Sequence, residues 1–325
     1  MGQPLIPLTP EGTSVSGKTI IITGGNAGLG LEAARQFLIL GCSRMVLACR
    51  SIARGQEAAA SLRADPAIQK ANPSAIIDVF ELDLDDYHSG VRFVRQVTSS
   101  LTELDILLNN GGMASMRYET STSGHERTMQ VNCYTHILIS LALLPLLRRT
   151  AAARGSPTRI TFVGSGTQKT QASLKGALPE DVSALEYFDD PANFSRFRRY
   201  ADSKLAVNAY TRRLATLAPG EVVVNNLCPG LVQTGLDKNL PGPLKFIMGW
   251  VRKTAARTVE EGARTLVFAA AVAGEETNGK FMQQNKVDEG APFLNGPHAE
   301  RFVDRLWKET VEDLVKVDAA LGEFA

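Results

Sequence analysis

Two side chains in the sequence Tyr-Ala-Asp-Ser-Lys could move a proton together. Tyr200 and Lys204 are four residues apart, so a helix places both on one face, one turn apart. A free phenol has a pKa of about 10 and is a poor acid or base near neutrality. A nearby ammonium stabilises the phenolate and lowers that pKa toward the working range. Because this spacing is common by chance, the interpretation depends on its position in the helix after the fifth predicted strand.

A serine and an asparagine are further candidates for this chemistry. Ser165 ends the fifth predicted strand in the sequence Val-Gly-Ser-Gly, where its hydroxyl would bind and polarise a carbonyl oxygen. An ordinary strand end is the alternative explanation for this serine. Asn132 falls inside a helix predicted over about 128–149, although asparagine has only modest helix propensity. A core amide or a helix kink is the alternative for Asn132.

A glycine-rich turn follows the first predicted strand. The sequence Thr-Gly-Gly-Asn-Ala-Gly-Leu-Gly spans 23–30, and its glycines follow the pattern G-x3-G-x-G rather than the commoner G-x-G-x-x-G. Small residues here let the backbone approach a pyrophosphate, whose charge lies at the N-terminus of the following helix. The residues of this turn that we predict to bind a dinucleotide are Gly24, Asn26, Gly28, Leu29 and Gly30.

The end of the second predicted strand indicates which dinucleotide binds. In this type of fold an acidic residue there binds the ribose 2′-hydroxyl of NAD, whereas an arginine accommodates a 2′-phosphate. The strand ends in Cys49 and Arg50, without Asp or Glu. We therefore predict NADP(H) in preference to NAD(H), although an exposed arginine after a strand also explains Arg50 taken alone.

Two more strand ends carry candidate cofactor contacts. Asp83 and Leu84 end the third predicted strand, where a carboxylate would accept a hydrogen bond from the adenine amino group. Asn110 and Gly111 lie in the sequence Asn-Asn-Gly-Gly at the end of the fourth, where glycine lets the backbone approach the nicotinamide ribose. Turn formation remains an equally open explanation for both pairs.

The elements that position these residues alternate along the chain. Short β-branched runs at 18–25, 44–50, 75–84, 104–112, 159–165 and 222–230 are separated by helical periods, and a short strand follows near 280–282. This alternation predicts a single doubly wound parallel α/β sheet of the Rossmann type, with helices on both faces. We assign residues 17–325 to one catalytic domain after a flexible lead-in over 1–16. Two irregular segments, 166–199 and 231–258, follow strand ends and are predicted to form the substrate pocket.

Composition excludes several classes of function. The formal net charge is +1, which gives no field suited to nucleic acid. The four cysteines and four histidines are dispersed, so no metal site is predicted. The N-terminus lacks the basic start and apolar core of a signal peptide, and the longest apolar run, 137–147, is too short to span a bilayer. We therefore expect a cytoplasmic protein without stable membrane insertion.

One apolar segment leaves two explanations open. Residues 243–253 combine Phe, Ile, Met and Trp with basic flanks. The segment is either a lid over the substrate pocket or a membrane contact. Either explanation predicts a small lipophilic substrate.

Taken together and in this order, the residues over about 17–290 resemble the short-chain dehydrogenase/reductase family. Its branch of retinol-dehydrogenase-like and WW-domain-oxidoreductase-like members, with many fungal relatives, is similar in the sequences Leu-Ala-Cys-Arg-Ser and Tyr-Ala-Asp-Ser-Lys-Leu-Ala-Val-Asn. That branch mostly uses NADP(H). The family's usual alanine in N-N-A-G is replaced by Gly111. The resemblance assigns the catalytic set to Asn132, Ser165, Tyr200 and Lys204, and a segment beside the nicotinamide to Pro229, Gly230, Val232 and Thr234.

The resemblance implies reversible hydride transfer between a nicotinamide and a carbonyl or alcohol carbon. Tyr200 would donate the proton, Ser165 would hold the carbonyl oxygen, and Lys204 would lower the pKa of Tyr200 and bind the ribose hydroxyls. Asn132 would hold a water that relays protons. An epimerase or dehydratase on the same fold, and an NADP(H)-binding redox sensor without turnover, are the alternatives. The natural substrate, the direction of reaction and the choice between monomer and homodimer are left open.

Overall fold

Strands form where the chain runs through short stretches of apolar, β-branched residues. The structure, a computed structural model, describes residues 3–174, 176–179, 181–233 and 256–325. Its strands are β1 Thr19–Thr23, β2 Arg44–Cys49, β3 Ile76–Glu81, β4 Ile106–Asn109, β5 Thr158–Val163, β6 Val222–Cys228, β7 Phe281–Gln283 and β8 Lys286–Asp288. Every residue of β1 and of β6 is buried, as expected for parallel strands that are covered on both faces.

The strands form one sheet, in the order β3-β2-β1-β4-β5-β6-β7-β8 within the described residues. All neighbours up to β7 pair in parallel. The strand order reverses between β1 and β4, and open α/β sheets bind ligands beyond the carboxyl ends of the strands at such a point. The predicted doubly wound α/β fold is confirmed.

The last strand is antiparallel and was not predicted. β7 and β8 form a hairpin whose two turn residues, Gln284 and Asn285, have φ values of 55° and 60°. Two consecutive positive φ values are typical of the tight turns that join paired antiparallel strands. With three residues and two exposed side chains, β8 is too short and too polar to show a strand pattern in the sequence.

Helices cover both faces of the sheet. They are α1 Gly28–Ile39, α2 Ile52–Arg63, α3 Pro66–Ala71, α4 Tyr87–Ser100, α5 Arg127–Met129, α6 Thr135–Arg154, α7 Ala184–Asp189 and α8 Arg199–Leu214, followed by helices over Val259–Val267 and Ala299–Val315. Ile21 of β1 packs in one core cluster with residues of α4, α6 and α8. Ile20 and Ile22 point the other way and pack with α1 and the helix Val259–Val267.

Two predicted helices are interrupted. The helical period between the second and third predicted strands is split into two helices, because Asp65 accepts hydrogen bonds from the backbone N–H groups of Ala67 and Ile68 and Pro66 begins a new helix. The helix expected over about 128–149 contains a π-helical turn over Gln130–Tyr134. Such turns are frequent at functional sites, and this one contains Asn132.

The N-terminal lead-in contacts the rest of the fold at several of its described residues. Ile6 and Val15 are 2% and 1% exposed. The backbone N–H of Ile6 donates to Glu261 at 2.8 Å, so the segment is attached to the helix Val259–Val267. Its Pro- and Ser-rich composition conceals these contacts, because they join residues more than 250 positions apart.

The two predicted pocket segments differ in how much of them the structure describes. The segment 166–199 contains α7 and short 3₁₀ turns over Gly166–Lys169 and Pro191–Asn193, which makes it less irregular than expected. Of the segment 231–258, residues 234–255 lie outside the described residues. The predicted lid or membrane contact over 243–253 lies there, and so does Thr234.

Candidate active site

A cavity of about 630 Å³ opens at the carboxyl ends of β1, β4, β5 and β6. It lies where the strand order reverses, as the fold predicts. The predicted site residues that line it are Gly24, Gly28, Leu29, Asn110, Gly111, Ser165, Tyr200, Lys204, Pro229, Gly230 and Val232. Four strand ends and the first turn of α8 therefore bring residues more than 200 positions apart into one space.

Tyr200 and Lys204 lie together on α8, as their spacing predicts. The Lys204 Nζ is 5.5 Å from the centroid of the Tyr200 ring. The ammonium also donates a hydrogen bond to the backbone oxygen of Val163, at the end of β5, at 2.8 Å. Lys204 therefore joins α8 to the strand that leads to Ser165.

The electrostatics of this pair differ from the sequence-based expectation. Burial raises the pKa of the Tyr200 phenol to about 12, Cys228 acts in the same direction, and a hydrogen bond with Ser165 opposes them. Burial lowers the pKa of the Lys204 ammonium to about 8. Burial therefore outweighs any lowering of the Tyr200 pKa by the Lys204 ammonium, which lies over the ring and donates to the Val163 oxygen. Tyr200 therefore keeps its proton throughout the neutral range.

Ser165 begins the loop that leaves β5. It is the N-cap of the turn Gly166–Lys169, and its Oγ accepts hydrogen bonds from the Thr167 backbone N–H at 3.3 Å and from the Thr167 hydroxyl at 3.0 Å. These contacts orient the hydroxyl while its side chain lines the cavity. The capping role and the predicted contact with a carbonyl oxygen can therefore coexist in one residue.

Asn132 is buried beside this group and does not line the cavity. Its Oδ1 accepts from the Met113 N–H at 2.8 Å, and its Nδ2 donates to the Met113 oxygen at 2.9 Å and to the Ser203 hydroxyl at 2.9 Å. Ser203 in turn donates to the Tyr200 backbone oxygen at 2.7 Å. The side chain is thus engaged in tying α8 to the loop after β4, and these contacts leave its predicted water-holding role without direct support.

The glycine turn fits a dinucleotide pyrophosphate. Gly24 and Gly28 have φ values of +62° and +54°, which side chains other than glycine rarely adopt. Helix α1 begins at Gly28, and its N-cap, Ala27, provides no side-chain cap. The uncapped backbone N–H groups and the positive end of the helix dipole face the cavity that Ala27, Gly28 and Leu29 line.

Gly30 packs under the turn instead of lining the cavity. A Cβ atom there would lie 2.5 Å from the Asn110 Nδ2 and 2.6 Å from the Gly24 oxygen. Asn110 itself donates through Nδ2 to the Thr23 oxygen at 2.9 Å. The side chain of Asn110 therefore braces the glycine turn, and only a glycine at position 30 leaves room for it.

We expect Gly30→Ala to weaken nucleotide binding by at least about tenfold, because overpacking of this kind costs about 1–3 kcal/mol and displaces the turn. A fluorescence titration with NADPH measures the change. Gly176→Ala is the matched control, since nothing lies within 4 Å of a Cβ at that position. Equal affinity of Gly30→Ala and the control would show that the turn does not bind the dinucleotide.

A buried hydrogen-bond network, not predicted from the sequence, connects the glycine turn to the π-helical turn Gln130–Tyr134. The Thr23 Oγ1 accepts hydrogen bonds from the backbone N–H groups of Asn110 and Gly111, both at 2.9 Å. Its own proton then points to the His136 Nε2 at 3.0 Å, which leaves His136 Nδ1 to donate to the Asn132 oxygen at 3.3 Å. Burial lowers the pKa of His136 to about 3, so the ring is neutral, as this arrangement requires.

The remaining predicted cofactor contacts lie outside the cavity lining. Arg50 is exposed directly after β2, and Asn26 is half-buried in the glycine turn. Asp83 accepts a hydrogen bond from the Asp85 N–H at 3.1 Å, and this contact stabilises the turn that follows β3. The Leu84 side chain packs against Gly111, where a Cβ would lie 2.5 Å from the Leu84 Cδ1.

Among the described residues, one helix is similar to a membrane span in length and composition. The helical stretch Arg127–Arg154 is long and apolar enough to cross a bilayer, but 83% of its most apolar 18-residue part is buried inside the fold. Such burial is typical of a core helix, and this one contributes α6 to the larger core cluster.

Comparison with known proteins agrees with this geometry. The model of the short chain dehydrogenase family matches residues 18–176. The chain is 66% identical over 289 residues to the short chain dehydrogenase sor7 of Hypocrea jecorina, covering 89% of this chain and 81% of that protein. It is 39% identical over 314 residues to the short chain dehydrogenase macD of Penicillium terrestre, covering 96% and 95% of the two chains.

Solved structures share the fold at lower identity. An uncharacterized protein from Mycobacterium paratuberculosis has a TM-score of 0.67 at 21% identity, covering 97% of this chain and 98% of that one. The RhlG/NADP active-site complex from Pseudomonas aeruginosa has a TM-score of 0.61 at 24% identity, covering 83% and 95%. The expected resemblance and the fungal character of the relatives are both confirmed. Because the fungal relatives align along most of the sequence, this chain belongs to the short-chain dehydrogenase/reductase family and is an oxidoreductase acting on a CH–OH or C=O group.

Proposed function

We propose that this enzyme transfers a hydride between NADP(H) and the carbonyl or alcohol carbon of a small lipophilic substrate. The observation that carries the proposal is that Ser165, Tyr200 and Lys204 line the same cavity as the glycine turn. The glycine turn and the uncapped end of α1 would hold the pyrophosphate of the dinucleotide. Ser165, Tyr200 and Lys204 would then be available for proton transfer beside the nicotinamide.

In the reducing direction, the cofactor supplies the hydride and the protein supplies the proton. Tyr200, whose pKa is raised, keeps its proton and donates it to the carbonyl oxygen. Ser165 hydrogen-bonds the same oxygen and stabilises the charge that develops there. Lys204 places its charge next to the phenol ring and compensates the phenolate that forms. The fixed geometry of β5 and α8 holds the three groups in reacting position.

The described cavity wall favours an apolar substrate. Val163, Cys228, Leu231 and Val232 are among the residues that line it. A screen of lipophilic ketones, aldehydes and alcohols with NADPH, NADH and their oxidised forms tests the proposal. We expect turnover of lipophilic carbonyl compounds with NADPH. Turnover restricted to charged, polar substrates, or no oxidoreductase activity with any pair, would contradict it.

The preference for NADP(H) is assigned to Arg50. It is exposed at the end of β2, next to the N-terminus of α2, and the strand end contains no carboxylate. An ionic hydrogen bond of this kind is worth about 1.5–3 kcal/mol, so we expect Arg50→Asp to reduce the ratio of kcat/KM for NADPH to that for NADH by about 10–100-fold. Arg149→Asp, an exposed change on α6, is the control. An unchanged ratio in Arg50→Asp would remove the assignment.

A further inference from the structure

A side chain near the N-terminus completes one wall of the active-site cavity. Gln3 lines the cavity, and its carboxamide pairs with the backbone of Leu231. The Gln3 Oε1 accepts from the Leu231 N–H at 2.9 Å, and Nε2 donates to the Leu231 oxygen at 2.8 Å. A neighbouring β-strand would satisfy the same two backbone groups. Here a side chain 228 positions away pairs with both groups, and the Leu231 oxygen also accepts from the Arg257 backbone N–H at 2.9 Å.

The loop Pro229–Val232, which Gln3 contacts, contains a backbone conformation that favours glycine. Gly230 has a φ of +82°, in the left-handed region that favours glycine. A Cβ atom there would collide with the Gln3 Oε1 and with the Arg257 guanidinium, so both side chains pack directly on the loop backbone. Arg257 donates to the Pro229 oxygen at 3.0 Å and to the Pro4 oxygen at 2.6 Å. One guanidinium therefore ties the loop to the segment that contains Gln3.

The segment Pro4–Ile6, which follows Gln3, is itself held by contacts with the rest of the fold. The Ile6 side chain is 2% exposed. Its N–H donates to the Glu261 carboxylate at 2.8 Å, and its oxygen accepts from Arg264 at 3.2 Å. Both partners lie on the helix Val259–Val267. The chain from Pro4 to Ile6 is thus held at three points, and Gln3 extends from it into the cavity wall.

We propose that Gln3 is a positioning residue for the nicotinamide cofactor. It holds the loop Pro229–Val232, which lines the same cavity as Tyr200 and Lys204. A loop that is already ordered loses less conformational freedom when a ligand binds, so affinity rises without a new contact. The proposal rests on the proposed role of this loop in binding NADP(H). It adds a determinant of affinity that belongs to the lead-in rather than to the glycine turn.

Gln3→Met tests the proposal, because methionine has a similar length and lacks both hydrogen-bonding groups. We expect the Kd for NADPH, measured by fluorescence titration, to rise about tenfold, in keeping with the loss of two hydrogen bonds. At saturating NADPH, kcat should stay within about twofold of wild type, because the catalytic groups on α8 are untouched. Gln69→Met is the matched control, since the Gln69 Nε2 donates to the Arg63 oxygen at an exposed position.

Two results would overturn the inference. One is a Kd for NADPH in Gln3→Met equal to that of Gln69→Met and wild type. The other is a parallel fall in affinity, kcat and melting temperature, which indicates a general structural role rather than cofactor positioning. The wild-type titration separates these results from failure of the proposed function, since wild-type protein that binds neither dinucleotide contradicts that function directly.

Discussion

Replacing Tyr200 by phenylalanine should reduce ketone-dependent NADPH oxidation by about 10²–10⁴-fold, the contribution typical of a positioned acid–base group. The variant loses the one phenol that lines the described cavity together with Ser165. Affinity for NADPH should change little, because the glycine turn and the loop Pro229–Val232 are untouched. Steady-state kinetics with saturating NADPH, combined with a fluorescence titration of NADPH, separates the two effects.

Tyr210→Phe provides the matched control on the same helix. The Tyr210 hydroxyl pairs with the Thr310 hydroxyl at 2.6 Å in the core, away from the cavity lining. Its loss should cost stability on the order of 1 kcal/mol and leave turnover nearly unchanged. Turnover of Tyr200→Phe equal to that of Tyr210→Phe would exclude the phenol of Tyr200 as the proton donor.

Lys204→Met should reduce kcat by about 10²-fold or more, because the phenolate that forms on Tyr200 loses its neighbouring positive charge. Thermal stability should not fall through loss of charge, since a lowered pKa means that burial disfavours the charged lysine in the folded state. Lys308→Met, at an exposed position of the helix Ala299–Val315, is the control. Unchanged kcat in Lys204→Met, with normal folding, would show that the ammonium has no part in catalysis.

The pH dependence of ketone reduction tests the role of the Lys204 charge independently. The pKa of Lys204 is lowered to about 8, so the ammonium is present below that pH and is lost above it. The Tyr200 phenol, with a pKa of about 12, keeps its proton across the same range. Ketone reduction by the wild type should therefore decline as the pH rises through about 8. This decline should be absent from the residual activity of Lys204→Met.

The parts of the site that could be predicted from sequence are those fixed by local geometry. Tyr200 and Lys204 share a helix face because of their spacing. Ser165 and the glycine turn lie at one end of the sheet because parallel strands end together. Neither inference needs knowledge of distant contacts. The fold class follows for the same reason, since the alternation of buried strands and helices is visible in short windows.

The parts that could not be predicted depend on contacts between distant residues. The Thr23–His136 hydrogen bond joins residues 113 positions apart, and the Gln3–Leu231 pairing joins residues 228 positions apart. No local pattern marks either contact. The net direction of the Tyr200 pKa shift also depends on the depth of burial, which the local sequence does not show. For Asn132, its modest helix propensity indicated an unusual position in a helix. The π-helical turn around it is visible only in the structure.

The most direct test of the central claim follows the hydride itself. A lipophilic ketone that the enzyme reduces is incubated with NADPH deuterated at the transferable position of nicotinamide C4, and the alcohol product is analysed by mass spectrometry and NMR. We expect one deuterium on the carbinol carbon and, in unlabelled water, an ordinary proton on the oxygen, because hydroxyl protons exchange with water. A product without deuterium on that carbon, whichever position of C4 is labelled, would contradict hydride transfer in this cavity.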